Sequence, residues 1–214
     1  MTNIMTAVSI NNKEILEVLN SFKDLWYSDL DTFKENAHIH FNEKDRQDYI
    51  SDEYCKKIMS KSKGHDGFPE VVKSYDLKNQ KSIEYSKKYF ELNTKLQTLL
   101  ATYNNALCTV YPPEGFISWH NNANASAYNL IFTWSETGDG YWKHIDPHTG
   151  EQVLVKDVLG WQCKAFFFGG YEDDPKDLVY HMASTDCWRM TISYIFDRHH
   201  KQFWQDIIEE IETP

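Results

Sequence analysis

The chain is poor in positive charge. Its 22 Lys and Arg residues stand against 32 Asp and Glu, for a net charge of −10 over 214 residues. It therefore lacks the overall field that draws a protein to nucleic-acid backbones or anionic membranes. No basic run offers a local substitute. Lys56, Lys57, Lys61 and Lys63 lie among acidic neighbours, as on a solvated helix face. Cysteine is scarce, and Cys55, Cys108, Cys163 and Cys187 form no CxxC pair, which argues against a zinc knuckle. No apolar run approaches membrane-spanning length. The start has no charged segment followed by an apolar core, so no signal peptide is expected and the thiols should be reduced, as in a cytoplasmic protein. There is no internal repeat and no low-complexity tract.

What is present suits one compact domain with a sizeable core. Apolar residues make up 41% of the chain and aromatics a high 15%. Residues 1–105 read as a helical region packing on a sheet, 106–198 as a β core, and 199–214 as a closing helix. Ile15, Leu16, Val18, Leu19, Phe22 and Leu25-Trp26 recur at helical spacing after a capping Asn11 or Asn12. His38-Ile-His40 alternates like a short, partly exposed edge strand. Asp48 to Met59 reads as a short helix. Ser62 to Pro69 carries two glycines and a proline and reads as a break. Ser82 to Tyr103 is the strongest helical stretch.

After Asn105 the pattern changes to short strands separated by turns: 107–111, 116–119, 127–134, 141–145, 152–156, 163–168, 178–181 and 189–196. Such spacing predicts a mainly β sandwich or jelly roll with flanking helices. The segment 201–211 predicts an amphipathic helix.

Two histidines stand beside strands far apart in this region, His120 and His181. A non-haem Fe(II) centre of the facial type needs two imidazoles and a carboxylate on one face of the ion, with the other positions open. The carboxylate usually lies two residues after the first histidine, and here that position is Asn122. Arg189 and Thr191 share a strand face, since side chains alternate. A guanidinium and a hydroxyl can hold the far carboxylate of a chelating keto acid.

In this order the motifs resemble the Fe(II)/2-oxoglutarate-dependent oxygenases, in the branch related to prolyl hydroxylases. Tyr111, Gly115 and His120 resemble the entry to the metal loop. Gly138-Asp-Gly140-Tyr-Trp resembles a glycine-led strand, and Gly160 to Phe168 a Gly-x-x-x-x-Phe strand. His181 with Arg189-Met-Thr191 resembles the distal histidine and its Arg-x-Ser/Thr. The match spans residues 107–197. It implies a double-stranded β-helix after a helical N-terminal region, and a dioxygenase, a hydroxylase of unassigned substrate. Iron would be held by His120, His181 and Asn122. The co-substrate 2-oxoglutarate would be held by Arg189 and Thr191, with Tyr128 as a further contact. Similar small proteins occur in tailed bacteriophages, so host cytoplasm or virion is also implied as a location.

Asn122 departs from that pattern and leaves three readings. It is a weak third ligand, or its place goes to water or an anion, or the domain keeps the fold without the chemistry. The last reading makes the chain a non-catalytic jelly-roll binding or structural module, such as a phage virion or assembly protein. His144-Ile-Asp146 is a literal His-x-Asp, but Pro147 and Gly150 make it read as a surface hairpin tip. Glu136, Asp139 and Asp186 are other carboxylates that folding could bring in. Partners expected from sequence are a small-molecule co-substrate, with no membrane and no nucleic acid. Substrate and oligomeric state are not encoded in any motif.

Overall fold

The computed structural model describes residues 5–40, 45–61 and 67–214. The expected break at 62–69 lies largely outside them. The protein is mainly β: an antiparallel sheet curls back on itself and helices flank it.

The strands are β1 (Met5–Val8), β2 (Ala37–His40), β3 (Val72–Gln80), β4 (Asn104–Tyr111), β5 (Phe116–His120) and β6 (Ala127–Ser135). They continue with β7 (Gly140–Ile145), β8 (Gln152–Lys156), β9 (Gly160–Phe168), β10 (His181–Thr185) and β11 (Arg189–Asp197). Along the sheet their order is β1-β9-β6-β11-β4-β3-β5-β10-β7-β8, with β2 added to β3. Strand β3 is the bend. Tyr75 and Asp76 pair with β4, while Val72 and Lys73 pair with β5. One layer is thus β9-β6-β11-β4 and the other β5-β10-β7-β8. From β4 onward the chain crosses between them at nearly every turn.

The β4-containing layer buries both faces by strict alternation. On β11, Met190, Ile192, Tyr194 and Phe196 face the helices, and Arg189, Thr191, Ser193 and Ile195 face the opposite layer. On β6, Leu130 and Phe132 face the helices, and Ile131 and Thr133 face inward.

The helical cover comes from α1 (Lys13–Tyr27), α5 (Ile83–Leu99) and α6 (Lys201–Glu212). Asn12 caps α1 by accepting the Ile15 amide at 3.2 Å. Its buried stripe is Ile15, Val18, Leu19, Phe22 and Trp26, and the Trp26 indole N–H reaches the Met190 sulfur at 3.1 Å. Ser82 caps α5, and Asn93 on its buried face accepts from the Tyr194 hydroxyl at 2.8 Å. The α6 indole of Trp204 donates to the Asn129 carbonyl at 3.2 Å. Phe22→Ala would cost about 3–5 kcal/mol, because that ring is fully buried between α1, α5 and the sheet.

Several elements differ from the sequence expectation. The N-terminal hundred residues contribute β1, β2 and β3 as well as helices. The segment expected as one helix from Asp48 to Met59 is two, α3 (Arg46–Ile50) and α4 (Asp52–Lys61), flanking Ser51; α2 spans Leu30–Asn36. The short strand expected at 178–181 instead begins at His181, after a 3-10 turn at Pro175–Asp177. No helix among the described residues is long and apolar enough to cross a membrane. The four cysteines are buried and free.

Candidate functional site

A cavity of about 440 Å³ lies between the layers and takes its lining from both. One end holds His120, His181 and Asn122; Arg189, Thr191, Lys164 and Thr133 also line it. A cleft of about 540 Å³ adjoins it on the β3–β4 side, where the two share Pro69, Leu107, Tyr111 and Ile117.

Register brings the histidines together. His120 at the end of β5 pairs directly with His181 at the start of β10, and their ring centroids are 4.1 Å apart. Each ring is oriented by its own strand. His120 Nδ1 lies 2.8 Å from the Ser118 carbonyl, and His181 Nδ1 lies 3.1 Å from the Val179 carbonyl. A carbonyl only accepts, so both Nδ1 atoms carry a proton, and a neutral ring then has its lone pair on Nε2. Burial, then the neighbouring His120, holds His181 well below the ordinary imidazole range, so it is neutral.

Asn122 follows in a loop that the backbone shapes tightly. Its φ is +64° and that of Ala123 is +53°. The Asn121 and Asn122 amides both donate to the Gly67 carbonyl, at 3.3 and 2.8 Å. Gly67 itself sits at φ +84°, and a Cβ there would come within 2.2 Å of the Ala123 nitrogen. Asparagine tolerates the left-handed region better than most residues, which suits position 122.

The donor set is therefore two imidazoles beside an amide. Imidazole nitrogens fixed through Nδ1 suit a divalent first-row metal such as iron. No group of three His, Cys, Asp or Glu side chains among the described residues is placed to share an ion. The residues fit a metal as two imidazole ligands, and the negative charge must come from elsewhere.

The cavity also carries a buried charge cluster. Arg189 Nε donates to Asp157 Oδ2 at 2.7 Å, and its Nη1 donates to Thr191 Oγ1 at 2.6 Å. Its guanidinium also lies 5.5 Å from the Tyr111 ring centroid, across β4. Asp157 Oδ1 accepts from Gln162 Nε2 at 2.9 Å and from Lys164 Nζ at 3.4 Å. All three charged side chains are nearly closed to solvent. Burial pushes the Asp157 carboxyl up, but Arg189 and Lys164 outweigh it and hold the pKa below its usual value. Gly140 makes room for the pair, since a Cβ there would meet Asp157 Oδ2 at 2.5 Å. Asp157 and Lys164 are the residues that motif reading missed.

Other candidates fall elsewhere. Tyr128 is on the helix-facing side of β6, with its ring 4.7 Å from those of both Phe167 and Trp204. It cannot touch a ligand in the cavity, because odd-numbered β6 residues face inward. His144 is not on a surface tip. It lies within β7, only 4% exposed, in register with His181 and stacked on Trp142 at 4.5 Å. The turn begins only at Asp146. Its Nδ1 has no partner among the described residues, and burial lowers its pKa to about 4. Glu136 accepts from the Tyr27 hydroxyl and the Trp188 amide, Asp139 from Thr137, and Asp186 from Arg46. None of the three lines the cavity.

No protein-family profile matches the chain, and no curated protein matches it in sequence. Among solved structures it is similar to a Pseudomonas putida prolyl-4-hydroxylase, with TM-score 0.34 and 13% identity over 85% of this chain and 99% of that one. It is also similar to the viral collagen prolyl hydroxylase of Paramecium Bursaria Chlorella virus-1 in its 2OG complex, with TM-score 0.39 and 11% identity over 91% and 95%. The Drosophila melanogaster CENP-C cupin domain has TM-score 0.32 and 9% identity over 72% and 100%. At this level of likeness the roles of those proteins do not transfer.

Proposed function

We propose that the chain is a double-stranded β-helix protein of the Fe(II)/2-oxoglutarate oxygenase type, a hydroxylase whose substrate remains to be assigned. The crossing of the chain between two facing layers from β4 to β11 supports the jelly-roll reading. The observation that carries the functional one is the histidine pair: two in-register imidazoles, each with Nδ1 tied to a carbonyl and Nε2 as the donor nitrogen, at a cavity that also holds buried cationic side chains.

In this reading His120 and His181 hold iron and Asn122 is a neutral neighbour to it. Bound iron and keto acid would supply the oxidising chemistry, coupling decarboxylation of 2-oxoglutarate by dioxygen, to succinate and carbon dioxide, to hydroxylation of a substrate C–H bond. The chain's own residues bind and orient. The cavity's cationic groups, Arg189 with Thr191 among them, draw the far carboxylate of 2-oxoglutarate. Trp142, Phe166 and Phe168 line the intervening wall and exclude water, which strengthens each polar contact inside. Substrate would approach through the adjoining cleft between β3 and β4.

A second reading has its own support. Asn122 supplies no charge, and Arg189 already has a carboxylate partner in Asp157. A non-catalytic jelly-roll binding module would tolerate both. Anaerobic titration with Fe(II) and 2-oxoglutarate separates the two by the visible charge-transfer band of the chelate. The oxygenase reading expects the band in the wild type and its loss in His181→Ala. A band confined to Asn122→Asp would favour the module reading, and no band in either protein would overturn the oxygenase reading.

A further inference from the structure

We infer that Lys164 and Thr133, not Arg189, are the principal donors of a carboxylate-binding site inside the cavity, and that Asp157 holds Arg189 back. This deepens the keto-acid reading above, yet it concerns a site that needs no metal.

Charge counting comes first. Arg189, Lys164 and Asp157 are buried together, which with Lys164 protonated leaves one positive charge over, and the cavity lining includes no further acid among the described residues. An uncompensated buried cation is costly, so the ligand-free site is poised to accept one negative charge.

Anchoring distinguishes the two cations. Arg189 Nε–H is held by Asp157 and one Nη1–H by Thr191, both at short distance, so its guanidinium is fixed in place and its remaining N–H groups point where that pair sets them. Lys164 is 6% exposed and has three N–H donors, but its one contact among the described residues is the 3.4 Å approach to Asp157. Thr133 is fully buried, and its hydroxyl has no partner among the described residues.

Register places these groups on one wall. Thr133 pairs with Thr191 on β11 and with Gln162 on β9, while Lys164 is the next inward residue of β9. A carboxylate there would receive an ammonium that has only the long contact to Asp157 and a hydroxyl with no partner among the described residues. The ligand class is a small carboxylate, and 2-oxoglutarate or succinate presents the right end group.

The test is calorimetric binding of succinate and of 2-oxoglutarate in the presence of a chelator, with dimethyl succinate as the uncharged control. Wild type should bind both acids and not the ester. Lys164→Met should weaken binding roughly ten- to a hundredfold, the range for a charge-assisted bond, and Thr133→Val by a smaller factor. Should Lys164→Met fail to fold, the Thr133 methyl resonance of wild type still decides: it should shift with succinate and stay still with the ester. Binding kept in Lys164→Met but lost in Arg189→Lys would overturn the assignment in favour of Arg189. Absence of any succinate binding or methyl shift would also overturn it. Metal-free binding that depends on Lys164, without an iron band, would keep this site while removing the oxygenase reading. A band with Lys164-independent binding would do the reverse.

Discussion

Two regions of one cavity set opposite electrostatic problems. Around His120 and His181 the described polar groups include no carboxylate: imidazoles tied through Nδ1 and the amide of Asn122. Around Arg189 three charges are buried together and leave a surplus cation. A metal in the first region would lack a protein anion, and the second region, with Asp157 set against two cations, is one anion short. A ligand negative at both ends complements both, which is the charge pattern of a keto dicarboxylate. The contrast explains how Asn122 is compatible with a working site, because the missing charge can arrive with the ligand.

The comparison breaks most readily at Asp157. Asp157→Ala would leave Arg189 and Lys164 buried without a counter-charge, and should cost about 3–5 kcal/mol in urea denaturation. A loss below about 1 kcal/mol would mean that water reaches the cluster and that its charges are not buried as described.

In the histidine region, removing an imidazole should matter more than adding a carboxylate. Losing only a group that orients a metal ligand costs about 10–100-fold in metal affinity, so His181→Ala should lose about a hundredfold or more by calorimetric titration. Asn122→Asp should gain roughly tenfold, since the new charge attracts the ion directly. Equal metal affinity in wild type and Asn122→Asp would show that the 122 side chain does not reach the ion.

His144 sharpens the contrast through pH. Its pKa falls from 6.5 in the unfolded chain to about 4 in the fold, because burial disfavours the charged ring. The unfolded chain therefore takes up this proton first. The stabilising contribution is complete above pH 6.5 and is lost as pH falls toward 4. Chemical denaturation should show wild type losing stability relative to His144→Leu across that window. A constant difference would show that the ring is solvated.

The smallest effect should come from Thr133→Val. Removing an unpaired buried hydroxyl should leave the ligand-free protein unchanged or more stable by up to about 1 kcal/mol in thermal melts. A clear loss of stability would reveal a partner for that hydroxyl.

Much of the fold was legible from residue periodicity. Strands 127–134 and 189–196 alternate cleanly, and α1 and α6 carry apolar stripes at helical spacing. Strand β3 was not legible: Val72-Lys-Ser-Tyr-Asp-Leu-Lys-Asn-Gln80 is mostly polar and has no clean alternation, because it bridges two layers. His120, His181, Arg189 and Thr191 were readable from motif order, and folding brings all four to one cavity. Asp157 was not, since Lys156-Asp157-Val-Leu-Gly160 looks like any polar connection. Lys164 did leave a signal. A lysine between Cys163 and Ala165 in a buried strand must find a partner inside, and that requirement pointed to an internal acid. Period-two counting would likewise have put Tyr128 with Leu130 and Phe132, away from the site.

The central claim is that His120 and His181 offer their Nε2 lone pairs to one metal ion. Histidine-selective nitrogen NMR during titration with Zn(II), a redox-silent stand-in for iron, tests it directly, with His120→Ala and His181→Ala for assignment. The expected result is a metal-dependent shift of Nε2 in His120 and His181 together, with Nδ1 protonated in both and His144 unmoved. Zinc that shifts His144 instead, or moves neither ring of the pair, would contradict it.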